Sequence, residues 1–125
     1  MDDAVNPPRG NRVLIIEDES HVAMMLEVLL QDMGFEVAGM ATRFGDAMAK
    51  ARSLDFDVAV LDVNLDGEPS YPVAEAIAER GIGFVFATGY GADRLPESLR
   101  SHPVLQKPYR MGDLKQALQQ VVERA

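Results

Sequence analysis

The chain has 125 residues, no cysteine, and a formal net charge of −8 from 12 basic and 20 acidic side chains. This length fits one domain, and an apolar share of 47% with 26% charged residues is ordinary for a globular protein. The lack of cysteine excludes disulfides and thiolate chemistry and is typical of cytoplasmic proteins, while the acidic surplus argues against nucleic acids and anionic membranes as partners.

The first eleven residues, 1–11, are mostly polar and include two prolines and a glycine. We therefore expect a flexible N-terminal arm there, not a secretion signal, followed by a folded domain over residues 12–125. No apolar run in the chain approaches the roughly 20 residues that a membrane-spanning helix needs.

Five short apolar runs predict β-strands, and stretches with helical spacing separate them. The runs lie at 13–16, 36–40, 58–61, 84–87 and 104–105. Three of them are continuously apolar, which is expected of strands covered by helices on both faces. The alternation predicts the α/β class, with five strands in one doubly wound parallel sheet and a helix after each strand, a (βα)5 order.

Each of the five predicted helices is recognised by its ends or by an apolar stripe. The first begins at its N-cap Ser20 and ends at Gly34, and the third covers 71–80. The fourth, at 92–100, must hold Pro96 in its first turn or break there. The residues predicted to face the core are Val22, Leu26, Leu29, Leu30 and Met33 in the first helix, Ala47, Met48, Ala51 and Leu54 in the second, Val73, Ala76 and Ile77 in the third, and Leu114, Leu118, Val121 and Val122 in the last.

Polar residues follow four of the five predicted strands, at the ends where ligands bind in such sheets. They are Glu17-Asp18-Glu19 after the first strand, Asp62 and Asn64 after the third, Thr88-Gly89 after the fourth and Lys107-Pro108 after the fifth. We therefore expect carboxylates, a hydroxyl and an ammonium group to lie close together at one edge of the sheet.

These groups together indicate phosphoryl chemistry. Crowded carboxylates raise one another's pKa unless a cation joins them, and oxygen ligands without histidine or cysteine suit Mg²⁺. An aspartate beside Mg²⁺ can itself be a nucleophile that forms an aspartyl phosphate. Thr88 and Lys107 would supply a donor and a positive charge for the phosphoryl oxygens. The pattern indicates that a carboxylate accepts a phosphoryl group.

The same residues resemble a known family, the response-regulator receiver domain of two-component signalling, and the resemblance covers almost everything from residue 12 to 125. The matching motifs are 13–19, 60–67, 86–89 and Lys107-Pro108. The strand end Phe86-Ala87-Thr88-Gly89-Tyr90 further resembles a subfamily of single-domain receivers with a Phe-Ala-Thr-Gly-Tyr motif. The resemblance implies the flavodoxin-like receiver architecture.

The resemblance also implies a role for each matching residue. Asp62 would be the phosphoacceptor, and Thr88 and Lys107 would hold the phosphoryl group once it is attached. Gly89 would leave room for the phosphodonor. Mg²⁺ would be bound by Asp18 directly, by Asp62, by Glu17 through water, and by the backbone carbonyl of Asn64.

One position departs from the family pattern. Receivers usually carry an aromatic residue three positions before the lysine on the fifth strand, and Val104 stands there in this chain. The rotating aromatic that normally reports phosphorylation is therefore absent. We predict that Tyr90, two residues past Thr88, takes over part of this switching role.

The resemblance implies a stand-alone receiver that takes a phosphoryl group from the phosphohistidine of a histidine kinase or phosphotransfer protein. Such a domain catalyses its own phosphorylation and dephosphorylation but turns over no external substrate. Since the chain ends with the fifth helix, output is expected through contact with a downstream protein, or the protein is a phosphate sink. The first helix, around Met24, Met25 and Glu27, would dock the kinase.

Three other functions fit parts of the pattern. Asp62-Val63-Asn64 faintly resembles the motif of a phosphohydrolase with an aspartate nucleophile, but 125 residues leave no space for the cap residues of such enzymes. A flavodoxin-like cofactor binder would need a phosphate-cradling loop after the first strand, where Glu17-Asp18-Glu19 would repel phosphate. A pseudo-receiver that only binds partners would not need the intact site.

Overall fold

The computed structural model of the chain describes residues 11–88, 96–99, 102–107 and 110–124. The predicted arm at 1–11, apart from Asn11, lies outside these residues, and so do Gly89, Tyr90 and Pro108. The elements in chain order are β1 Arg12–Ile16, α1 Ser20–Asp32, β2 Glu36–Ala41, α2 Phe44–Ser53, β3 Val58–Asp62, β4 Asn64–Leu65, β5 Glu68–Pro69, α3 Tyr71–Glu79, β6 Gly83–Thr88, a 3-10 turn Glu97–Leu99, β7 Val104–Gln106 and α4 Met111–Arg124.

The five predicted strands are confirmed, and each differs from its prediction by at most one residue at either end. They form one parallel sheet in the order β2-β1-β3-β6-β7. Because all five run the same way, their carboxyl ends lie along a single edge, and β3 is the central strand. This order is that of a flavodoxin-like doubly wound sheet, as predicted.

Helices cover both faces of the sheet and explain why the strands are continuously apolar. On β1, Val13 and Ile15 pack with α1 and α4 on one face, while Leu14 and Ile16 pack with α2 and α3 on the other. All four side chains are essentially inaccessible to solvent. Alternate residues of one strand therefore belong to two separate cores, which is the pattern of a sheet buried on both sides.

The prediction for the first helix needs two corrections. Ser20 is the first residue of α1, and the N-cap is Glu19, whose side chain makes no capping hydrogen bond. The buried stripe of α1 consists of Ala23, Leu26 and Leu30, while Val22 and Leu29 lie half-buried on its flanks. The fully buried row therefore contains three residues, fewer than predicted.

The third and fourth predicted helices have different outcomes. In α3, Val73 and Ile77 are buried as predicted, and Ala74 takes the fully buried place expected for the half-buried Ala76. The fourth predicted helix lies mostly outside the described residues, and its described part is the 3-10 turn Glu97–Leu99. In α4, Leu114, Leu118 and Val121 are buried as predicted, whereas the side chain of Val122 lies outside the described part of the chain.

The sequence interpretation missed a hairpin between β3 and α3. Strands β4 and β5 pair in antiparallel fashion, with Leu65 opposite Glu68. The two residues between them, Asp66 and Gly67, have φ angles of 52° and 89°. Two successive positive φ values define a type I′ turn, for which Asp-Gly is a preferred sequence. The side chain of Leu65 is buried in the core, so the hairpin is anchored to the domain.

Within the part of the chain that the structure describes, no helix combines the length and the apolar character that crossing a membrane requires.

Candidate functional site

The predicted carboxylates meet at the carboxyl ends of β1 and β3. Ile16 pairs with Leu61, so the residues that follow them leave neighbouring strands at the same edge of the sheet. One oxygen from each of Glu17, Asp18 and Asp62 lies within 4.8 Å of the others. Glu17 is only 1% exposed and Asp62 8%, so two of the three acids in this cluster are shielded from water.

Lys107 reaches into the acid cluster from the end of β7. Its Nζ donates hydrogen bonds to Glu17 Oε1 at 3.0 Å and to Asp62 Oδ2 at 3.0 Å. The backbone amide of Lys107 donates to the carbonyl of Thr88 at 2.7 Å, which continues the pairing of β6 with β7 and sets where the side chain starts. A residue 45 positions from Asp62 along the chain is thereby joined to it.

The pKa values in the cluster show that its buried surroundings and its neighbouring acids oppose full ionisation of the carboxyl groups. Burial raises the pKa of Glu17 to about 7, and the neighbouring Asp18 and Asp62 add to this rise against the opposing effect of Lys107. Burial alone would lower the pKa of Lys107, but its hydrogen bonds to Glu17 and Asp62 raise it above its ordinary value. Lys107 therefore stays positively charged, while the Glu17 carboxyl is partly protonated near pH 7.

Asp18 differs from its neighbours because it is more exposed. Burial acts to raise its pKa, but the hydrogen bond from the backbone amide of Asp66, with contributions from Glu17 and Lys107, holds that pKa below its usual value. The amide of Asp66 donates to Asp18 Oδ2 at 2.9 Å. Asp18 thus remains an anion and contacts the tip of the hairpin.

The donor set fits a hard divalent cation. It consists of carboxylate oxygens from Glu17, Asp18 and Asp62, and such ligands are those that Mg²⁺ prefers. The raised pKa of Glu17 is a second sign of fit, because a bound cation would offset both the burial and the neighbouring acids that oppose its ionisation. The exposed Asn64 follows Asp62 by two residues, and its amide donates to Asp62 Oδ1 at 3.2 Å.

Thr88 completes the group of described residues at this edge. It is 3% exposed and ends β6 directly after Ala87, the residue that pairs with Asp62. The structure therefore places the predicted site residues Glu17, Asp18, Asp62, Asn64, Thr88 and Lys107 at the carboxyl ends of four strands and the start of the hairpin.

Comparison with known proteins agrees with this geometry. Residues 13–119 match the family model described as the response regulator receiver domain. The chain belongs to this family. A solved structure of SdrG from Sphingomonas melonis Fr1 is 43% identical to this receiver domain, with a TM-score of 0.78 over 90% of this chain and 96% of that one.

Two further matches are informative. The structure of SdrG in its BeF3-activated conformation, from Pseudomonas melonis Fr1, is 42% identical with a TM-score of 0.75 and covers 90% of this chain and 96% of that one. The transcriptional regulatory protein PdtaR of Mycobacterium tuberculosis is 31% identical over 117 residues. The match covers 90% of this receiver domain but only 57% of PdtaR, so this chain spans little more than half the length of that relative.

Sequence reasoning missed two contacts of the receiver domain's site, and both come from the hairpin. One is the amide of Asp66 on Asp18, and the other is the hydroxyl of Ser70, which donates to the backbone carbonyl of Asp62 at 2.6 Å. The Asp66-Gly67 pair is a recognised hairpin signal and could have indicated the turn. No sequence signal indicates that this turn folds back on the acid cluster.

Proposed function

We propose that this receiver domain accepts a phosphoryl group on Asp62 from the phosphohistidine of a histidine kinase or phosphotransfer protein. The observation that carries the proposal is the position of Asp62. Its carboxylate lies beside two further acids, a set suited to a divalent cation, and accepts a hydrogen bond from the ammonium of Lys107 at 3.0 Å. A carboxylate held between two sources of positive charge is suited to attack a phosphoryl group and to stabilise the product.

In the proposed reaction, an oxygen of Asp62 forms a bond to phosphorus as the bond between phosphorus and the histidine nitrogen breaks. The nitrogen keeps the electron pair and is protonated from solvent. Mg²⁺, when bound, neutralises charge on the transferred oxygens. Glu17, Asp18, Asp62 and the carbonyl of Asn64 would hold it, while Lys107 moves its hydrogen bond from the carboxylate to a phosphoryl oxygen.

The remaining residues would act after transfer. The hydroxyl of Thr88, buried at the neighbouring strand end, would contact the attached phosphoryl group. Water would later attack phosphorus and release phosphate, which returns Asp62 to a carboxylate. In this scheme the domain modifies itself and turns over no external substrate. Its output would run through contact with a downstream protein, or through its use as a phosphate sink.

The partner side of the proposal rests on α1. Met24 is 59% exposed, Met25 53% and Val28 56%, so all three apolar side chains face solvent. Large apolar side chains grouped on one helix are typical of protein contact surfaces. We assign this surface to docking of the kinase or phosphotransfer protein.

Intact-mass spectrometry after incubation with acetyl phosphate and Mg²⁺ tests the proposal. We expect one phosphoryl adduct in the wild type, loss of the adduct in Asp62→Asn, and its retention in the matched control Asp113→Asn, an exposed acid in the first turn of α4. No adduct in the wild type would support a pseudo-receiver. Retention of the adduct in Asp62→Asn would move the acceptor to another residue.

A further inference from the structure

The backbone carbonyl of Asp62 has an unusual hydrogen-bond partner. The amide of Val63 donates to Ala87 on β6 at 3.1 Å. Across a trans peptide the N–H and C=O groups point in opposite directions, so the carbonyl of Asp62 points towards β1. There the pairing of β1 with β3 ends at Ile16, and the next amide, that of Glu17, donates to Ala41 on β2, on the side of β1 away from β3. Strand β1, which would normally supply a hydrogen-bond donor to this carbonyl, ends at Ile16.

Ser70 supplies the missing donor. Its hydroxyl donates to the Asp62 carbonyl at 2.6 Å, and its backbone amide donates to the carbonyl of Val63 at 2.7 Å. Ser70 is fully buried, so water does not compete for these bonds. Two hydrogen bonds from one residue therefore hold two successive carbonyls, those of the acceptor and of its neighbour.

Ser70 makes these bonds from a position where serine usually does something else. It is the N-cap of α3, and an N-cap serine ordinarily accepts a hydrogen bond from an amide in the first turn. Its side chain makes no such bond here, although the amides of Val73 and Ala74 donate to its backbone carbonyl. Helix capping therefore does not explain why a hydroxyl stands at this position.

The hairpin connects the hydrogen bond between Ser70 and Asp62 to the carboxylate of Asp18. The segment between Asp62 and Ser70 forms the hairpin of β4 and β5, and Leu65 fixes it in the core. At its tip the amide of Asp66 donates to Asp18 Oδ2. The hairpin thus contacts the acceptor strand at one end and the acid loop after β1 at the other.

We infer that Ser70 is a positioning residue, which through the 64–70 hairpin fixes the Asp62 backbone and the adjacent carbonyl of Asn64 relative to Asp18. This inference rests on the proposed function and concerns the same site. An unsatisfied, freely tilting carbonyl at residue 62 would let the Asp62 side chain and the Asn64 carbonyl drift from the geometry that phosphoryl transfer requires.

The test compares Ser70→Ala with Ser70→Thr, which keeps the hydroxyl. We expect Ser70→Ala to slow phosphorylation by acetyl phosphate about tenfold when the rate is measured at saturating Mg²⁺. In a separate titration, we expect the variant to bind Mg²⁺ about tenfold more weakly, as is typical when a ligand's supporting hydrogen bond is lost. Ser70→Thr is expected to restore both. Mg²⁺ affinity of the unphosphorylated protein is measured by NMR titration.

Two control variants separate positioning from stability. Ser53→Ala removes another serine-to-carbonyl hydrogen bond, to Ala49 in α2, and should leave rate and affinity within about twofold of the wild type. Val13→Ala lowers stability through the core at the other end of the sheet. If Ser70→Ala loses stability as Val13→Ala does, yet reacts and binds Mg²⁺ like the wild type, the inference is wrong.

Failure of this inference is distinguishable from failure of the proposed function. If the wild type forms no adduct, phosphoryl acceptance is overturned, and the Mg²⁺ titration of Ser70→Ala alone decides the positioning role. If the wild type forms the adduct on Asp62 and Ser70→Ala does so at the same rate with unchanged Mg²⁺ affinity, the function stands and the positioning role falls.

Discussion

The sheet carries similar charged groups where its strands begin and where they end, but their surroundings differ. At the carboxyl ends, the ammonium of Lys107 contacts two buried carboxylates, and the side chains of Glu17 and Asp62 are only 2% and 11% exposed. At the amino ends, the guanidinium of Arg12 contacts Asp55, whose side chain is 91% exposed, at 2.8 Å. Both ends thus have a cation among acids, and burial is what differs.

This comparison shows why one end can be a reactive site and the other cannot. Water screens the charges around Arg12, so a cation or phosphoryl group gains little by binding there. Around Lys107, burial raises the pKa of Glu17, and the low polarity strengthens attraction and repulsion between the charges. The predictions below test whether burial makes this difference.

The largest effect is expected from removing the cation at each end. Lys107→Ala leaves buried carboxylates without their partner and should lower the free energy of unfolding by about 2 kcal/mol near neutral pH without Mg²⁺. Arg12→Ala should cost no more than about 1 kcal/mol. Urea denaturation measures both. Equal losses would show that the two ends are electrostatically alike.

The pH dependence of stability comes next in size. The folded-state pKa of Glu17, about 7, lies above its ordinary value of 4.5. Its protonated form therefore favours folding, and this contribution is complete below the unfolded pKa and disappears as the pH rises through about 7. We expect the wild type to lose on the order of 2 kcal/mol over that window in metal-free buffer.

Glu17→Gln provides the control for the pH effect, because an amide does not titrate. The variant should show a flatter stability profile between about pH 4.5 and 7, measured by urea denaturation at several pH values without divalent ions. An equally steep profile in Glu17→Gln would assign the titration to a different group. In the wild type, Mg²⁺ should bind more tightly as the pH rises through the same window, because the proton on Glu17 competes with it.

A smaller effect is expected when Mg²⁺ affinity is compared between variants at the carboxyl ends and at the amino ends of the strands. Asp18→Asn should weaken Mg²⁺ binding at least about tenfold, since it removes a charged ligand oxygen. Asp55→Asn, at the opposite end of the sheet, should change it by no more than about twofold. NMR titration with Mg²⁺ follows both variants. Comparable losses in the two would mean that net charge, not the buried cluster, attracts the ion.

The smallest effect concerns the hairpin beside the site. Gly67 has a φ of 89°, so Gly67→Ala should destabilise the protein by about 1 kcal/mol through strain alone. Gly45 lies inside α2 with open space around it, and Gly45→Ala should stabilise by about 1 kcal/mol. Opposite signs in thermal unfolding would confirm that the turn needs its left-handed conformation, whereas equal signs would contradict it.

Much of the fold and of the site could be predicted from local patterns. Continuously apolar runs such as 58–61 predicted buried strands, and the edge of the sheet that holds the site follows from the rule that ligands bind at the carboxyl ends of parallel strands. The flavodoxin-like strand order was implied by the resemblance to receiver domains. Asp62, Asp18 and Lys107 were predicted to converge because each follows a strand. These predictions depend on periodicity and topology, which are properties of short segments of the chain.

Other features depend on contacts that no local pattern encodes. Helical spacing placed Val22 on the buried face, but in the structure Ala23 is buried and Val22 only half-buried. The Asp-Gly turn was overlooked because its neighbours are too short to show alternation. The role of Ser70 was not predicted either, since a serine before a helix ordinarily indicates a cap.

The sequence by itself determined the alternating architecture, the edge of the sheet where the site lies, and the residues that could carry its chemistry, because strand periodicity and strand-end residues are written locally. The tertiary structure alone decided how these residues are tuned. Burial raises the pKa of Glu17, Lys107 bridges two acids, and Ser70 holds the carbonyl of Asp62. Each of these three features arises because segments far apart along the chain meet where water is excluded. The charges of the residues alone specify none of them.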